Sequence, residues 1–425
     1  MLRDSRGWGS ALARGLSLLR DSRGWGSALA IASIVLIGIA FAATSNFAAS
    51  SGRVAASQVT DPAIPRSVTG PTGIRAQAAA AADHVRQFAT TGEAVMGRST
   101  PLRFLIGQRF VVAMNGTVPS AALLERARRG EVGGVILFGA NVVDQTQLRR
   151  LTASLQLAAR TGGQPPLLIA TDQEGDRIRR VPWAGPALAT DELGRLDGAR
   201  LQAEGAASGR ALRAVGINLD LAPVADVPGP RSFMALEGRT FGSSPDAVGR
   251  AVVAFAQGLA AERVAATVKH FPGIGRATRN TDRTAVEIAV GGAGLAKVDL
   301  VPFRASIRAG VPVVMISNAT YPALDSKPAP WSTAIQRLLR RDLGFSGATI
   351  TDALEGAART RGRTPASVAS LAIQAGVDFV LLTGSEAASA AAYDRALAAA
   401  QRGAISERSL RTSYDRILAL KRAYG

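Results

Sequence analysis

The sequence predicts an α/β fold, a (β/α)8 barrel of the TIM type, preceded by an N-terminal apolar targeting segment and a flexible spacer. Eight short apolar runs alternate with amphipathic stretches over residues 99–425, in the order and over the length that such a barrel needs. The runs are almost continuously apolar, which is typical of a parallel sheet covered on both faces. A doubly wound open sheet is the alternative. No G-x-G-x-x-G follows the first run, which weakens a dinucleotide-binding version of that alternative.

The predicted strands are, in order, RFVVAM (109–114), GGVILF (133–138), PLLIATD (166–172), INLDLAP (217–223), ATVKH (266–270), PVVMISN (312–318), GATITD (347–352) and DFVLLTG (378–384). Helical patterns follow them, and three are well marked: PSAALLERARRG, DQTQLRRLTASLQLAAR and PDAVGRAVVAFAQGLAAE. Each of these three spaces its apolar residues at the period of a helix with one buried face.

The first 98 residues are predicted to stay outside the barrel. Residues 28–43, ALAIASIVLIGIAFAA, are apolar and follow an arginine-bearing stretch, as in a signal peptide; a membrane anchor is the alternative. We assign 1–49 to this segment, 50–98 to an Ala/Ser/Pro spacer that has too few apolar residues to fold, and 99–425 to the barrel. The protein is therefore expected to be exported, and either secreted or anchored to the outer face of the cytoplasmic membrane.

Charge and composition exclude several classes of protein. The formal net charge is +18, but the arginines are scattered and no basic stretch alternates with aromatic residues, so we expect no nucleic-acid partner. The absence of cysteine excludes disulfides, thiolate metal sites, a cysteine nucleophile and a lipid anchor on cysteine. We expect neither a metal nor a cofactor, and a monomer.

Polar residues gather just after the predicted strands, where active residues of such barrels lie. They are Asp172, Glu174, Asn218, Asp220, Asp226, Lys269, His270, Ser317, Asn318 and Asp352. Each alone could be a strand-end cap or turn former. Together, carboxylates on different strands beside Lys and His suit the hydrolysis of a polyhydroxylated substrate.

Eight segments carry a family resemblance: GQRFVVAMNG, GEVGGVILFGANV, TDQEGDRIRRV, GINLDLAPVADV, RTFGSSP, KHFPG, LLRRDLGFSGATITDAL and AGVDFVLL. In content and order they resemble glycoside hydrolase family 3, in its single-barrel β-N-acetylglucosaminidase branch. The resemblance runs from about Gly107 to Gly384. It implies hydrolysis of β-linked glucosaminides, with cell-wall muropeptides as fitting substrates for an exported protein; chitin fragments and β-glucosides stay open.

The resemblance also implies a role for each matching residue. Asp352, in ITDAL, matches the nucleophile that forms a covalent glycosyl-enzyme. Five positions match residues that contact the sugar: Asp172, Arg180, Arg239, Lys269 and His270. For His270, a packed strand-end imidazole is the structural alternative.

The proton donor of this branch is missing. The branch continues K-H-F-P-G-H-G to Asp-Ser-His, whose histidine is the acid/base. Here Ile274 stands at the earlier histidine, and the Asp-Ser-His positions hold Asn280, Thr281 and Asp282. The chain's two histidines are His84 and His270, so neither fills the gap.

Two interpretations follow from this loop. In one, Asp282 is the acid/base, since a carboxyl is the usual proton donor of glycosidases. Three arginines nearby, at 276, 279 and 283, argue against it, because positive charge favours the ionised carboxylate. In the other, the protein is a catalytically impaired, sugar-binding pseudoenzyme at the cell wall.

Overall fold

Eight parallel strands form a barrel in the computed structural model, which describes residues 100–425. The twelve strands are β1 (Phe110–Ala113), β2 (Gly134–Leu137), β3 (Leu168–Thr171), β4 (Gln173–Gly175), β5 (Ile178–Arg179), β6 (Leu219–Asp220), β7 (Ala265–Phe271), β8 (Val313–Ile316), β9 (Thr320–Tyr321), β10 (Asp325–Pro328), β11 (Ala348–Thr351) and β12 (Val380–Leu382). The barrel order is β11-β8-β7-β6-β3-β2-β1-β12. A parallel bridge between Ile350 and Phe379 joins the two ends of this order and closes the ring.

The helices surround the barrel. They are α1 (Leu102–Gly107), α2 (Ala121–Arg128), α3 (Gln145–Thr161), α4 (Thr190–Leu193), α5 (Gly198–Arg213), α6 (Phe233–Leu236), α7 (Pro245–Ala261), α8 (Gly292–Gly294), α9 (Val301–Arg308), α10 (Thr333–Arg337), α11 (Leu354–Arg359), α12 (Pro365–Ala375), α13 (Glu386–Gln401) and α14 (Glu407–Tyr424). Side-chain caps begin several of them: Ser120, Asp144 and Asp197 each accept a hydrogen bond from a backbone amide in the first turn, which satisfies a donor that the helix leaves unpaired.

The predicted barrel is confirmed. Seven of the eight predicted strands contain one barrel strand each, and β7 extends one residue beyond its predicted run (266–270) at both ends. The open-sheet alternative is wrong, because the ring closes. Two short antiparallel pairs, β4 with β5 and β9 with β10, were not predicted; they lie in the loops after β3 and β8. The targeting segment and the spacer fall outside the described residues. Within 100–425, no helix has the length and apolar character needed to cross a bilayer.

Two apolar clusters make the core. The first cluster fills the inside of the barrel and includes Val111, Ile136, Leu168, Met315 and Leu381. Two residues of α14, Ile417 and Leu420, pack against it. The larger cluster lies between the strands and the surrounding helices. Alternate strand residues therefore face the barrel interior and the helices, as the strand period requires.

Helix α14 covers the end of the barrel where the strands begin. Its buried Lys421 donates through Nζ to Oε1 of Gln108, just before β1, at 2.5 Å. Asp378, just before β12 and fully buried, accepts hydrogen bonds from Ser413 (2.6 Å) and Arg416 (2.7 Å) of the same helix. The opposite end, where the strands finish, is thus left to carry the site.

Candidate active site

A cavity of about 650 Å³ opens at the carboxyl ends of the strands. All seven residues that the sequence singled out line it: Asp172, Arg180, Arg239, Lys269, His270, Asp282 and Asp352. The structure therefore brings together residues that are up to 180 positions apart (352 − 172). Apolar residues of the barrel interior, among them Ile136 and Met315, line the cavity together with these polar groups.

A chain of buried ion pairs forms one side of the cavity. Nζ of Lys269 lies 2.8 Å from Oδ1 of Asp172 and 2.7 Å from Oε1 of Glu174. Arg239 donates from Nε and Nη2 to the two oxygens of Glu174, at 2.8 and 2.9 Å. The bidentate arginine and the shared lysine fix four side chains in one arrangement.

The neighbouring charges within this network determine the pKa values of its members. Burial alone would raise the pKa of Glu174, but Arg239 and Lys269 hold that pKa well below its ordinary value. Burial likewise opposes the charge of Lys269, yet Asp172 and Glu174 raise its pKa above the ordinary value. Glu174 is therefore an ionised carboxylate that holds two cations in place for a ligand.

Local structure explains how these side chains meet. Lys269 lies near the end of β7, a fully buried strand. Asp172 and Glu174 are two residues apart at the start of the β4–β5 hairpin, so both project toward the same side. Glu174 is among the polar residues that follow the predicted strands but has no role implied by the family resemblance. Its spacing of two residues from Asp172 is the signal in the sequence that indicates a shared site.

Asp352 follows the last residue of β11. Its amide donates to the carbonyl of Ile316 at the end of β8 (2.8 Å), and its Oδ1 accepts from the amide of Ala353 (2.8 Å). Asn318 donates to the carbonyl of Ala353 (2.8 Å), which fixes the turn into α11. Burial, then the nearby carboxylate of Asp282, raise the pKa of Asp352 to about 7.

Asp282 lies beside Asp352 because its loop packs on the start of α11. Gly356 permits this contact: a side chain there would come within 2.7 Å of the backbone of Asp282. Arg359 of the same helix donates to the carbonyl of Asp282 (3.0 Å), and Asn280 accepts from its amide (2.8 Å). Oδ1 of Asp282 is buried and has no hydrogen-bond partner among residues 100–425.

The arginines near Asp282 in sequence do not line the cavity with it. Nε of Arg276 pairs with the buried carboxylate of Asp299 at 2.9 Å. Arg276 and Arg279 line a separate cavity. Two of the three arginines therefore lie at another cavity, and Arg276 has a carboxylate partner of its own.

A buried carboxylate contacts the ring of His270. Its Nδ1 lies 2.7 Å from Oδ2 of Asp226, a fully buried carboxylate. Its side chain is 6% exposed and lines the cavity. The ring thus contacts a buried carboxylate and also borders the cavity, and its contact with a sugar stays a prediction.

Arg180 stands on the far wall, with its guanidinium 5.8 Å from the centre of the Phe138 ring. Three other polar residues that follow the predicted strands form hydrogen bonds within the barrel and its loops. Asn218 bonds to the backbone of β3 and of the residue before it through both side-chain atoms, at 2.8 and 3.1 Å. Asp220 accepts from the amide of Gln173 (3.0 Å), and Ser317 bonds to Tyr321 (3.0 Å).

Comparisons with known proteins agree with this geometry. The family model described as glycosyl hydrolase family 3 N terminal domain matches residues 106–420. An uncharacterized secreted glycosyl hydrolase of Arthroderma benhamiae is 34% identical over 330 residues, which cover 74% of this chain and 92% of that protein.

Two solved structures are similar in fold and sequence. The β-N-acetylhexosaminidase of Beutenbergia cavernae has a TM-score of 0.70 and 34% identity, covering 76% of this chain and 99% of that one. The family 3 β-N-acetylglucosaminidase of a Paenibacillus species has a TM-score of 0.72 and 31% identity over 77% of this chain. The present chain spans 63% of the length of the Paenibacillus structure.

Proposed function

The chain belongs to glycosyl hydrolase family 3, and on this premise we propose that it is a retaining enzyme that cleaves β-linked N-acetylglucosaminides. It is a glycosidase of the β-N-acetylhexosaminidase type. In the proposed mechanism Asp352 is the nucleophile and Asp282 the acid/base. The observation that carries the proposal is the pairing of these two carboxyl groups in one buried cleft.

Two carboxyl groups that interact this closely do not both ionise freely. Burial and the neighbouring charge of Asp282 raise the pKa of Asp352 to about 7. Below that pH Asp352 therefore holds a proton, and the proposed mechanism requires that this proton lies on Asp282 once the sugar is bound. A retaining glycosidase needs this state, with one carboxylate to attack the anomeric carbon and one carboxylic acid to protonate the leaving oxygen.

In the first step, an oxygen of Asp352 forms a bond to the anomeric carbon while the bond to the leaving oxygen breaks. Asp282 gives that oxygen its proton. In the second step, the ionised Asp282 takes a proton from water, and the resulting hydroxide displaces Asp352 from the sugar. Two displacements at one carbon restore the β configuration.

The ion-pair network supports binding of the sugar hydroxyls. Lys269 and Arg239 are donors fixed by Glu174, and Asp172 is an acceptor fixed by Lys269. We assign Asp172, Arg180, Arg239, Lys269 and His270 to sugar contacts. Because these groups are held before the ligand arrives, little conformational entropy is lost on binding.

The test is an assay of the full chain on 4-nitrophenyl N-acetyl-β-glucosaminide and on the matching β-glucoside. We expect faster turnover of the first, with the β-anomer as the initial product in proton NMR spectra. The matched control is Asp352→Asn. An α-anomeric first product would exclude the retaining mechanism, and binding of the sugar without turnover would favour the pseudoenzyme interpretation.

For location, we propose that residues 28–43 direct the barrel out of the cytoplasm, where fragments of peptidoglycan would be substrates. The similar secreted glycosyl hydrolase of Arthroderma benhamiae supports export. Protease added to intact, wall-stripped cells should digest an anchored barrel, and a released one should be found in the medium. A barrel protected inside the cells would contradict export. We further propose that it works as a monomer, since every residue assigned a role here lies in one cavity of a single barrel.

A further inference from the structure

One buried carboxylate, Asp226, contacts both the sugar-facing side of the cavity and the loop of the proton donor. Its Oδ2 lies 2.7 Å from Nδ1 of His270. Its Oδ1 accepts a hydrogen bond from the amide of Ile274 at 2.7 Å. Asp226 is fully buried, and its carboxylate is thus shared between a side chain of the cleft and the backbone of the loop that leads to Asp282.

The position of Asp226 follows from the barrel. The chain after β6 continues alongside β7, with a parallel bridge between Val224 and Lys269. The amide of Ala225 donates to the carbonyl of Lys269. Asp226 therefore reaches His270, the next residue of β7, from behind the cavity wall.

The contact with Asp226 determines what His270 offers a ligand. A carboxylate on Nδ1 requires a proton there, since an ionised carboxylate only accepts. The opposite ring nitrogen, Nε2, makes no hydrogen bond to any residue within 100–425, and the ring lines the cavity. Nε2 is then the atom that a sugar hydroxyl meets, and its role is set by the partner of the other nitrogen.

The carboxylate of Asp226 also contacts the start of the loop that leads to Asp282, through the amide of Ile274. After Ile274, Gly275 packs so closely on the carbonyl of Val227 that a side chain would come within 2.0 Å of it. The amide of Gly229 donates to the carbonyl of Gly275 (2.9 Å), and that of Phe233 to Ala277 (3.0 Å). Residues 274–277 are thus tied to the segment that carries Asp226, and the loop that reaches Asp282 starts from a fixed point.

We propose that Asp226 is a positioning residue for the reaction: its carboxylate keeps the His270 ring protonated on Nδ1 with Nε2 toward the sugar, and it anchors the loop that carries Asp282. The inference rests on the proposed function for its catalytic meaning. Its structural content, the protonated Nδ1, can be measured without turnover.

The first experiment reads the imidazole directly. The chain has two histidines, so His84→Gln leaves His270 as the only ring signal in long-range nitrogen–proton spectra of the full chain labelled with ¹⁵N-histidine. We expect a proton on Nδ1 in this background, and a change of the Nε2 signal when N-acetylglucosamine is added. In Asp226→Asn, Nδ1 should lose its charged acceptor, and the spectrum should move toward the tautomer protonated on Nε2.

The second experiment is kinetic. Asp226→Asn should lower kcat/KM by roughly 10- to 100-fold, by analogy with the loss of a carboxylate that orients a histidine at a metal site. In a double-mutant cycle, Asp226→Asn should cost clearly less in a His270→Gln background than in the wild type, because the two act as one unit. The loss should be larger for a disaccharide than for the nitrophenyl substrate, since the loop carries the proton donor.

Asp299→Asn is the matched control. Asp299 is also a buried carboxylate that binds the loop, through Arg276, but it does not contact His270. We expect it to leave the His270 tautomer unchanged. A wild-type ring with its only proton on Nε2, or equal tautomer shifts in both variants, would overturn the proposal. Independent, additive losses in the cycle would also overturn it. If Asp226→Asn does not fold, the wild-type tautomer and its response to N-acetylglucosamine decide the matter.

Discussion

The carboxyl group of Asp282 lies close enough to that of Asp352 to help raise the pKa of Asp352 to about 7. These residues come from different loops of the barrel, and the packing of Gly356 on the backbone of Asp282 brings them together. Near neutral pH Asp352 loses its proton. The pH dependence of the reaction should therefore depend on whether the leaving group needs that proton.

We expect opposite pH profiles for poor and good leaving groups. Cleavage of a disaccharide should fall as pH rises through about 7, because the proton that the mechanism passes from Asp352 to Asp282 is then lost. Hydrolysis of a dinitrophenyl glycoside should instead rise to a plateau over the same range, because only ionised Asp352 is needed. Asp282→Asn removes the neighbouring charge, lowers the pKa of Asp352 and should move the rise to lower pH. Parallel kcat/KM profiles for both substrates would contradict this coupling.

Asp352→Asn should abolish turnover, with a loss of more than about 10⁴-fold. The folded-state pKa of Asp352 is raised, so its contribution to stability is complete below pH about 4 and is lost as pH rises through about 7. The variant should therefore melt at the same temperature as the wild type, or higher, at pH 8. A fluorinated slow substrate should label Asp352 in the wild type. Label on Asp172 or Glu174 would show that the nucleophile is misassigned.

Asp282→Ala should slow natural disaccharides by about 10²–10⁴-fold, the usual effect of losing a general acid. Nitrophenyl substrates should lose much less, because their leaving groups need little protonation. Added azide, which needs no base, should restore turnover of the nitrophenyl substrate and give a glycosyl azide in mass spectra. If Asp282→Ala matches the wild type on disaccharides, another group supplies the proton.

Glu174→Gln should disrupt the site through its two cations. Lys269 and Arg239 would lose the buried carboxylate charge of Glu174, with which both form ion pairs. Breaking a buried ion pair lowers the free energy of unfolding by about 3–5 kcal/mol. Because Lys269 still pairs with Asp172 in the variant, we expect a loss of unfolding free energy at the low end of this range. We also expect a raised KM. Glu237→Gln is the control: Glu237 binds the same Arg239 at 3.2 Å but is 43% exposed, so it should change stability by less than about 0.5 kcal/mol. Urea denaturation measures both.

Lys421→Met tests the closed end of the barrel. Burial lowers the pKa of Lys421 to about 7, so between pH 7 and 10.5 the unfolded chain binds more protons than the folded one. Wild-type stability should therefore rise with pH across this window. The stability gained by Lys421→Met should be largest below pH 7 and shrink toward pH 10, and the exposed Lys297→Met should show no such trend. Thermal melts from pH 6 to 10 measure this difference in stability. Curves of stability against pH that run parallel for wild type and Lys421→Met would refute the prediction.

The sequence by itself determined the barrel and the membership of its cavity. Near-continuous apolar runs such as GGVILF and PVVMISN, each followed by a helical period, specify a parallel sheet because both faces of such strands are buried. The carboxyl ends of parallel strands meet at one end of a barrel. Asp172, Lys269 and Asp352 could therefore be placed together from their positions after strands alone.

Only the tertiary structure decided which partner each side chain has. Glu174 and Arg239 are 65 residues apart, and Asp226 and His270 are 44 apart. Local propensity and spacing carry no information on such pairs, because register, loop paths and burial set them after the ring closes. The same holds for Arg276, which lies six residues from Asp282 in the chain but turns away to Asp299. Charge acts over distances in space, and the fold alone converts distance along the chain into distance in space.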